Sequence, residues 1–266
     1  MILKNTLGTK SNRGNARFVA GSRRARDRRQ SHTSLSTMDK EPPTRGVPPI
    51  RVLVMDCGSV TNPDCGAGNE AVAKCMGVAA EDCRRGHKAG WALARSDANF
   101  REYWSQAFET AGVPPANRTP ARVAACEAAL GEALRQTYPD TLEAARQAKA
   151  AGLLIGVISN HLVYPDLFEY CAQGAGLHSL VSDPTLLVVS QAVSLAKPDP
   201  NIFRLFFERL ARLDPTATPQ SLLFLDDKDV NVAAAVAEGW QAVVYDAKVA
   251  PAGTLRRLLT ERGVKL

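Results

Sequence analysis

Nowhere does the sequence stay apolar for anything near the ~20 residues a membrane-spanning helix needs, which excludes a bilayer span and sets the expectation of no membrane partner. Paired cysteines are missing too. Cys57, Cys65, Cys75, Cys83, Cys126 and Cys171 contain no C-x-x-C unit, and no secretory signal precedes them. Zinc clips and disulfide frameworks both favour tighter, paired spacing, so the six read as reduced thiols in an intracellular, cytoplasmic setting. A basic groove is the third absence. The net charge of +6 is confined to residues 1–50, where 11 Lys+Arg face 3 Asp+Glu, leaving 22 against 24 for the rest of the chain. A body that is close to neutral argues against binding nucleic acid across its surface.

What is present divides into a leader and a patterned body. Residues 1–48 are rich in Arg, Ser, Thr, Asn and Pro around "SRRARDRR" and lack apolar periodicity, which predicts disorder. Such an acid-poor leader fits a transit peptide, which would direct the protein to a plastid or mitochondrion. It equally fits a start assigned too early, with Met38 as the first residue. From Ile50 onward strands and helices alternate: "IRVLVMD", "LLIGVISN", "TLLVVSQ", "SLLFLDD" and "QAVVYD" are β-rich. "YPDLFEYCAQGAG", "PNIFRLFFERLARL", "VNVAAAVAEG" and a last segment to about residue 262 are helical. Continuous apolar strands separated by helices predict an α/β fold with a doubly wound parallel sheet. Helical composition dominates residues 66–151, too long for a crossover, so an α-helical cap is expected as an insert. The expected boundaries are a core of residues 49–62 and 139–266 and a cap of 63–138.

Ligands in such sheets bind beyond the carboxyl ends of the strands. Three of those ends carry polar residues: Asp56, Ser159-Asn160 and Asp226-Asp227. Singly each is ordinary turn or cap chemistry. Together they describe a site, because adjacent carboxylates repel unless a cation lies between them. Oxygen ligands from Asp56 and Asp227, with Asp226 beside them, suit a hard octahedral ion such as Mg²⁺, and Asn231 returns to the same mouth. Lys197 in "LAKPDP" precedes a helix starting at Pro200 with Asp199 as its N-cap. A lysine aimed into that cluster would neutralise charge on a phosphoryl group.

"VLVMDCGSV", "LLIGVISN", "LAKPDPNIF" and "LLFLDDKDVNVAAAVAEG" resemble, in that order, the four motifs of the haloacid dehalogenase (HAD) superfamily over residues 50–265. The helical insert resembles the C1 cap of subfamily I, class IA. Gly58 is similar to the branch that holds glucose-1-phosphate phosphatases and epoxide-hydrolase N-terminal domains. The resemblance implies a Rossmannoid core and a hydrolase releasing phosphate from a small phosphorylated metabolite, with a sugar phosphate one candidate. It implies that Asp56 is the nucleophile forming an aspartyl-phosphate, dividing one hard displacement into two easier ones. Asp56, the Gly58 carbonyl and Asp227 would hold Mg²⁺, supported by Asp226 and Asn231. Ser159 would hydrogen-bond a phosphoryl oxygen, and Lys197 would stabilise charge in the transition state. The backbone N–H groups of Cys57 and Asn160 would cradle the phosphate.

One position departs from that pattern. Most HAD phosphatases carry a general acid/base two residues after the nucleophile, and here Gly58 stands there. Losing that help typically costs ~10²–10⁴-fold and favours substrates with good leaving groups, such as anomeric or acyl phosphates. His161 is a candidate substitute donor, or a substrate-contacting side chain. Cys57 is expected to point away from Asp56, because successive strand residues face opposite sides. Trp91, Tyr103 and Trp104 read as cap packing ahead of pocket lining, and Arg84, Arg85, His87 and Lys88 as a solvated helix face ahead of a gate to the site from the cap. His32 and His178 show no partner. Two other functions remain: a weak module that binds a phosphorylated ligand or partner, and a haloacid dehalogenase. The latter needs no metal and replaces the Asp-Asp pair with uncharged residues.

Overall fold

The computed structural model describes residues 48–96, 102–162 and 166–266. The expected leader, with Met38 and His32, lies outside these residues, as do the first residues of "NFREYWSQAFETAG" and "YPDLFEYCAQGAG".

Five strands form one parallel sheet: β1 Val52–Met55, β2 Leu154–Ser159, β3 Leu187–Val189, β4 Leu222–Asp226 and β5 Gln241–Val244. Their spatial order is β3-β2-β1-β4-β5, with every adjacent pair parallel. The central position of β1 explains its unbroken apolar run, since all four of its residues are buried between β2 and β4. Val52 is in register with Leu154 on one side and Leu222 on the other, so Asp56, Ser159 and Asp226 reach the same edge. β3 is shorter than the expected "TLLVVSQ". Asp183 caps a 3₁₀ turn at Pro184–Leu186, and Ser190 already begins a one-turn helix.

The helices are α1 Asn69–Met76, α2 Ala80–Ser96, α3 Tyr103–Thr110, α4 Pro120–Leu134, α5 Pro139–Ala150 and α6 Leu167–Ala175. They continue with α7 Leu177–Leu180, α8 Ser190–Val193, α9 Pro200–Leu213, α10 Asp229–Ala237 and α11 Thr254–Glu261. α9 starts as its sequence dictates: Asp199 accepts from the Asn201 N–H at 2.9 Å, and Pro200 takes the first helical position. It buries Ile202, Phe203, Phe206 and Leu210 in the sheet's core, each such side chain contributing about 1.5–3 kcal/mol.

α1 to α4 form the helical cap between β1 and β2, with an apolar cluster of their own that includes Val72, Met76, Tyr103, Phe108, Cys126 and Leu130. Gly86 and Gly90, one turn apart on α2, let α3 approach closely. A Cβ at either would lie 2.4 Å from the Ala107 carbonyl oxygen or 2.7 Å from that of Tyr103. That approach fixes which α2 side chains meet Tyr103, and so shapes one wall of the site.

Candidate active site

The floor of the site is a buried charge cluster at the strand ends. The Lys197 side chain is wholly buried, and its ammonium donates to Asp226 Oδ2 at 2.6 Å and to the Ile158 carbonyl at 2.7 Å, with Asp56 Oδ1 at 2.9 Å. A lysine has three N–H donors, and all three are used. Burial alone would lower the Lys197 pKa, but the Asp56 and Asp226 carboxylates outweigh it and hold the ammonium charged. Burial pushes the Asp56 pKa up and the Asp226 charge adds to this, while Lys197 opposes both.

The two adjacent acids differ in what they have left to offer. Asp226 is fully buried, and both of its oxygens are engaged: Oδ2 by Lys197, and Oδ1 by Asn231 Nδ2 at 2.8 Å and the Lys228 N–H at 2.9 Å. Asp227 Oδ1 is buried with no hydrogen-bond partner, and Lys228 Nζ lies 3.8 Å away. Burial raises the Asp227 pKa; Asp56 and Asp226 raise it further, against Lys228. One oxygen from each of Asp56, Asp226 and Asp227 lies within 4.8 Å of the others. Hard oxygen donors in that grouping, with one buried oxygen unpaired, fit a divalent cation.

Seven of the expected residues, Asp56, Gly58, Ser159, Asn160, His161, Lys197 and Asn231, line one cavity of about 610 Å³, whereas Cys57, Asp226 and Asp227 do not line it. Cys57, Asn160 and His161 have surroundings that the sequence does not reveal. The Cys57 N–H lies close enough to the Asp56 carboxylate to favour its charged form. The Cys57 thiol is buried and pushed up to about 12, by burial first and the Asp56 charge second, which makes it inert. The Asn160 side chain clasps the Lys197 backbone, accepting from its N–H and donating to its carbonyl, both at 2.8 Å. His161 is buried against Trp91 and Phe168, with Nδ1 3.5 Å from the Leu162 carbonyl and Nε2 3.5 Å from Cys171 Sγ. Burial lowers its pKa to about 4. It is neutral at pH 7, with both ring nitrogens facing protein atoms, which argues against the proton-donor reading.

The cap wall corrects the sequence reading more broadly. Arg84, His87 and Lys88 line the cavity, whereas Arg85 turns away to Asp82 at 2.6 Å. Trp91 and Tyr103 line it as well, whereas Trp104 packs within the cap and donates to Glu127 at 2.9 Å. His178 pairs with Glu169 at 3.1 Å on the surface. Tyr103 Oη lies 2.5 Å from His87 Nδ1, and burial brings the His87 pKa down to about 4. His87 Nε2 and Asn69 Oδ1 are both buried without a hydrogen-bond partner. Asp64, Asn69 and Lys228 also line the cavity. Lys228 directly follows the Asp226-Asp227 pair, whereas no strand-end pattern marks Asp64 or Asn69, and "NPDCG" reads as turn chemistry alone.

All six cysteines are free thiols. No helix among the described residues is long and apolar enough to cross a membrane.

The family described as haloacid dehalogenase-like hydrolase matches residues 68–239. A curated relative, the phosphatase MT3486 of Mycobacterium tuberculosis (strain CDC 1551 / Oshkosh), is 32% identical over 114 residues, which are 43% of this chain and 48% of that protein. The putative HAD-hydrolase YfnB from Bacillus subtilis, solved bound to magnesium, superposes with a TM-score of 0.55 at 13% identity, covering 77% of this chain and 90% of that one. The L-2-haloacid dehalogenase from Xanthobacter autotrophicus gives 0.50 at 18% identity, covering 73% and 76%. At these identities the two structures speak for the fold.

Proposed function

The chain belongs to the haloacid dehalogenase-like hydrolases, and from that premise we propose that it is a Mg²⁺-dependent phosphatase of a small phosphorylated metabolite. The observation that carries this reading is the strand-end cluster: a buried lysine joins Asp56 to Asp226 while Asp227 keeps a buried, unpaired oxygen. The phosphatase name of the M. tuberculosis relative supports it. A dehalogenase would have no use for the Asp226-Asp227 pair.

Asp56, Asp227 and the Gly58 carbonyl would hold the ion, with Asp226 and Asn231 orienting the set. Bound there, Mg²⁺ would supply Lewis-acid stabilisation of negative charge on the phosphoryl oxygens. The rest falls to the chain itself. Asp56 attacks phosphorus and forms the aspartyl-phosphate, its carboxylate held 2.9 Å from the Lys197 ammonium. Lys197 offsets the charge that develops in transfer, and Ser159 donates to a phosphoryl oxygen.

The cavity has the size of a small-metabolite site. Its cap wall carries two buried polar atoms of neutral groups, Asn69 Oδ1 and His87 Nε2, and an aromatic surface from Trp91. An unpaired amide oxygen asks for a hydroxyl donor and repels a carboxylate, so the alcohol part of the substrate is hydroxylated, as in a sugar phosphate. The test is phosphate release across a panel of metabolite phosphates with Mg²⁺ or EDTA, comparing wild type with Asp56→Asn. Release that EDTA leaves untouched would contradict the metal role, and release that survives in Asp56→Asn would contradict the nucleophile.

A further inference from the structure

We propose that Asp64 is the proton-transfer group that position 58 lacks, an inference that rests on the phosphatase reading above. The argument begins with Gly58. It does not adopt a left-handed φ, and a Cβ built on it would find no heavy atom closer than the Asp64 Cα at 4.0 Å. Neither backbone strain nor crowding demands a glycine here. The space beside it opens toward Asp64.

The loop after β1 holds Asp64 there. The N–H groups of Val60, Thr61 and Asn62 all donate to the Cys57 carbonyl, at 3.1, 2.9 and 3.0 Å, and Gly58 bridges to Asn62. The Asn62 amide is fixed in turn by the carbonyls of Leu134, Gln136 and Cys171, at 3.1, 3.0 and 3.2 Å. The chain therefore folds back so that a residue six positions on stands beside Gly58.

The Asp64 carboxylate is available for chemistry. It precedes a 3₁₀ turn but makes no capping hydrogen bond, and it has no hydrogen bond or ion pair among the described residues. It lines the cavity with Asp56 and Lys197 and is open to water.

In the first half-reaction an Asp56 oxygen bonds to phosphorus as the bond from phosphorus to the leaving oxygen breaks. That oxygen keeps the electron pair and takes the proton of the Asp64 carboxylic acid, releasing an alcohol. In the second, the Asp64 carboxylate takes a proton from water as the water oxygen bonds to phosphorus. The bond from phosphorus to Asp56 breaks, its electron pair returns to the Asp56 carboxylate, and inorganic phosphate leaves. Asp64 ends protonated, as it began.

Leaving-group dependence tests this, because only a proton donor distinguishes a poor leaving group from a good one. Wild type, Asp64→Asn and Gly58→Asp/Asp64→Asn are compared on a simple alkyl phosphate and on p-nitrophenyl phosphate, with folding checked by thermal melts; Asp64→Ser replaces an Asn variant that does not fold. The expected loss in Asp64→Asn is ~10²–10⁴-fold on the alkyl ester and below about 10-fold on the aryl ester, with the alkyl activity recovered when an acid is placed at position 58. Equal losses on both esters, or none, in an active wild type would overturn the role of Asp64 and leave the phosphatase reading standing. A wild type that releases phosphate from neither ester, nor from the metabolite panel, would remove both.

Discussion

The floor and the roof of the cavity are built from opposite kinds of polar group. On the floor, Asp56, Lys197 and Asp226 are charged and joined to one another, and the three Lys197 donors are all used. On the roof, His87, Tyr103 and Asn69 are neutral, and two of their buried atoms have no partner within the protein. The floor is organised before anything binds, which suits groups that must stabilise charge without rearranging. The roof is left incomplete, and under the proposed function a substrate hydroxyl would complete it. Under the proposed function, chemistry and selectivity would come from different elements, the strand ends supplying one and the α1–α3 segment the other.

Several measurements would break or sharpen that contrast. The largest effect is expected for Asp56→Asn, which should lower phosphate release by roughly 10⁴-fold or more on every substrate; a loss confined to some substrates would blur the division. Lys197→Met strands Asp56 and Asp226 as buried carboxylates. It should cost about 3–5 kcal/mol in urea unfolding as well as activity, with a smaller cost in an Asp226→Asn background.

The two buried histidines, His87 on the roof and His161 just after β2, should reveal themselves in acid. His87 and His161 have folded pKa values of about 4, below the ordinary 6.5, because burial disfavours the charged ring. Between pH 6.5 and 4 the unfolded chain binds more protons at these positions, so stability falls as pH drops through that window. The slope is about 1.4 kcal/mol per pH unit for each histidine. Urea unfolding at pH 7, 6 and 5 should therefore show a shallower decline in His161→Gln than in wild type. An unchanged slope would mean that the ring is not buried neutral.

Mg²⁺ should raise the melting temperature of wild type but not of Asp227→Asn, because that variant removes the charged oxygen that lacks a partner. The smallest effects are expected on the roof. Asn69→Ala and His87→Gln should each raise KM about 10-fold for a hydroxylated substrate, with kcat little changed. A fall in kcat on every substrate would assign those side chains to the chemistry and dissolve the contrast.

The strand ends were legible in the sequence because each motif is local. An apolar run ending in Asp56, Ser159 or Asp226-Asp227 states its own place at the edge of a parallel sheet, and Asp199-Pro200 states where α9 begins. The cap was harder, because an amphipathic helix has the same pattern whether its polar face meets water or a cavity. Arg84, His87 and Lys88 therefore read as solvated, and Trp91 and Tyr103 as packing, until α3 was seen against Gly86 and Gly90 and the cavity beneath. His161 left two readings open for a related reason. A histidine after a strand-end "SN" suggests a proton donor, but its charge state depends on the burial around it, which adjacent residues do not reveal.

Taken alone, then, the sequence determined the sheet, the inserted cap and the acids at the strand ends, since periodicity and turn chemistry are written over a few neighbouring residues. Tertiary structure alone decided that Asp226 is consumed while Asp227 is left open, and that the roof is neutral and unsatisfied. It also decided that the gap at Gly58 is flanked by Asp64. Each of these depends on how distant segments meet, and on how much water is left between them.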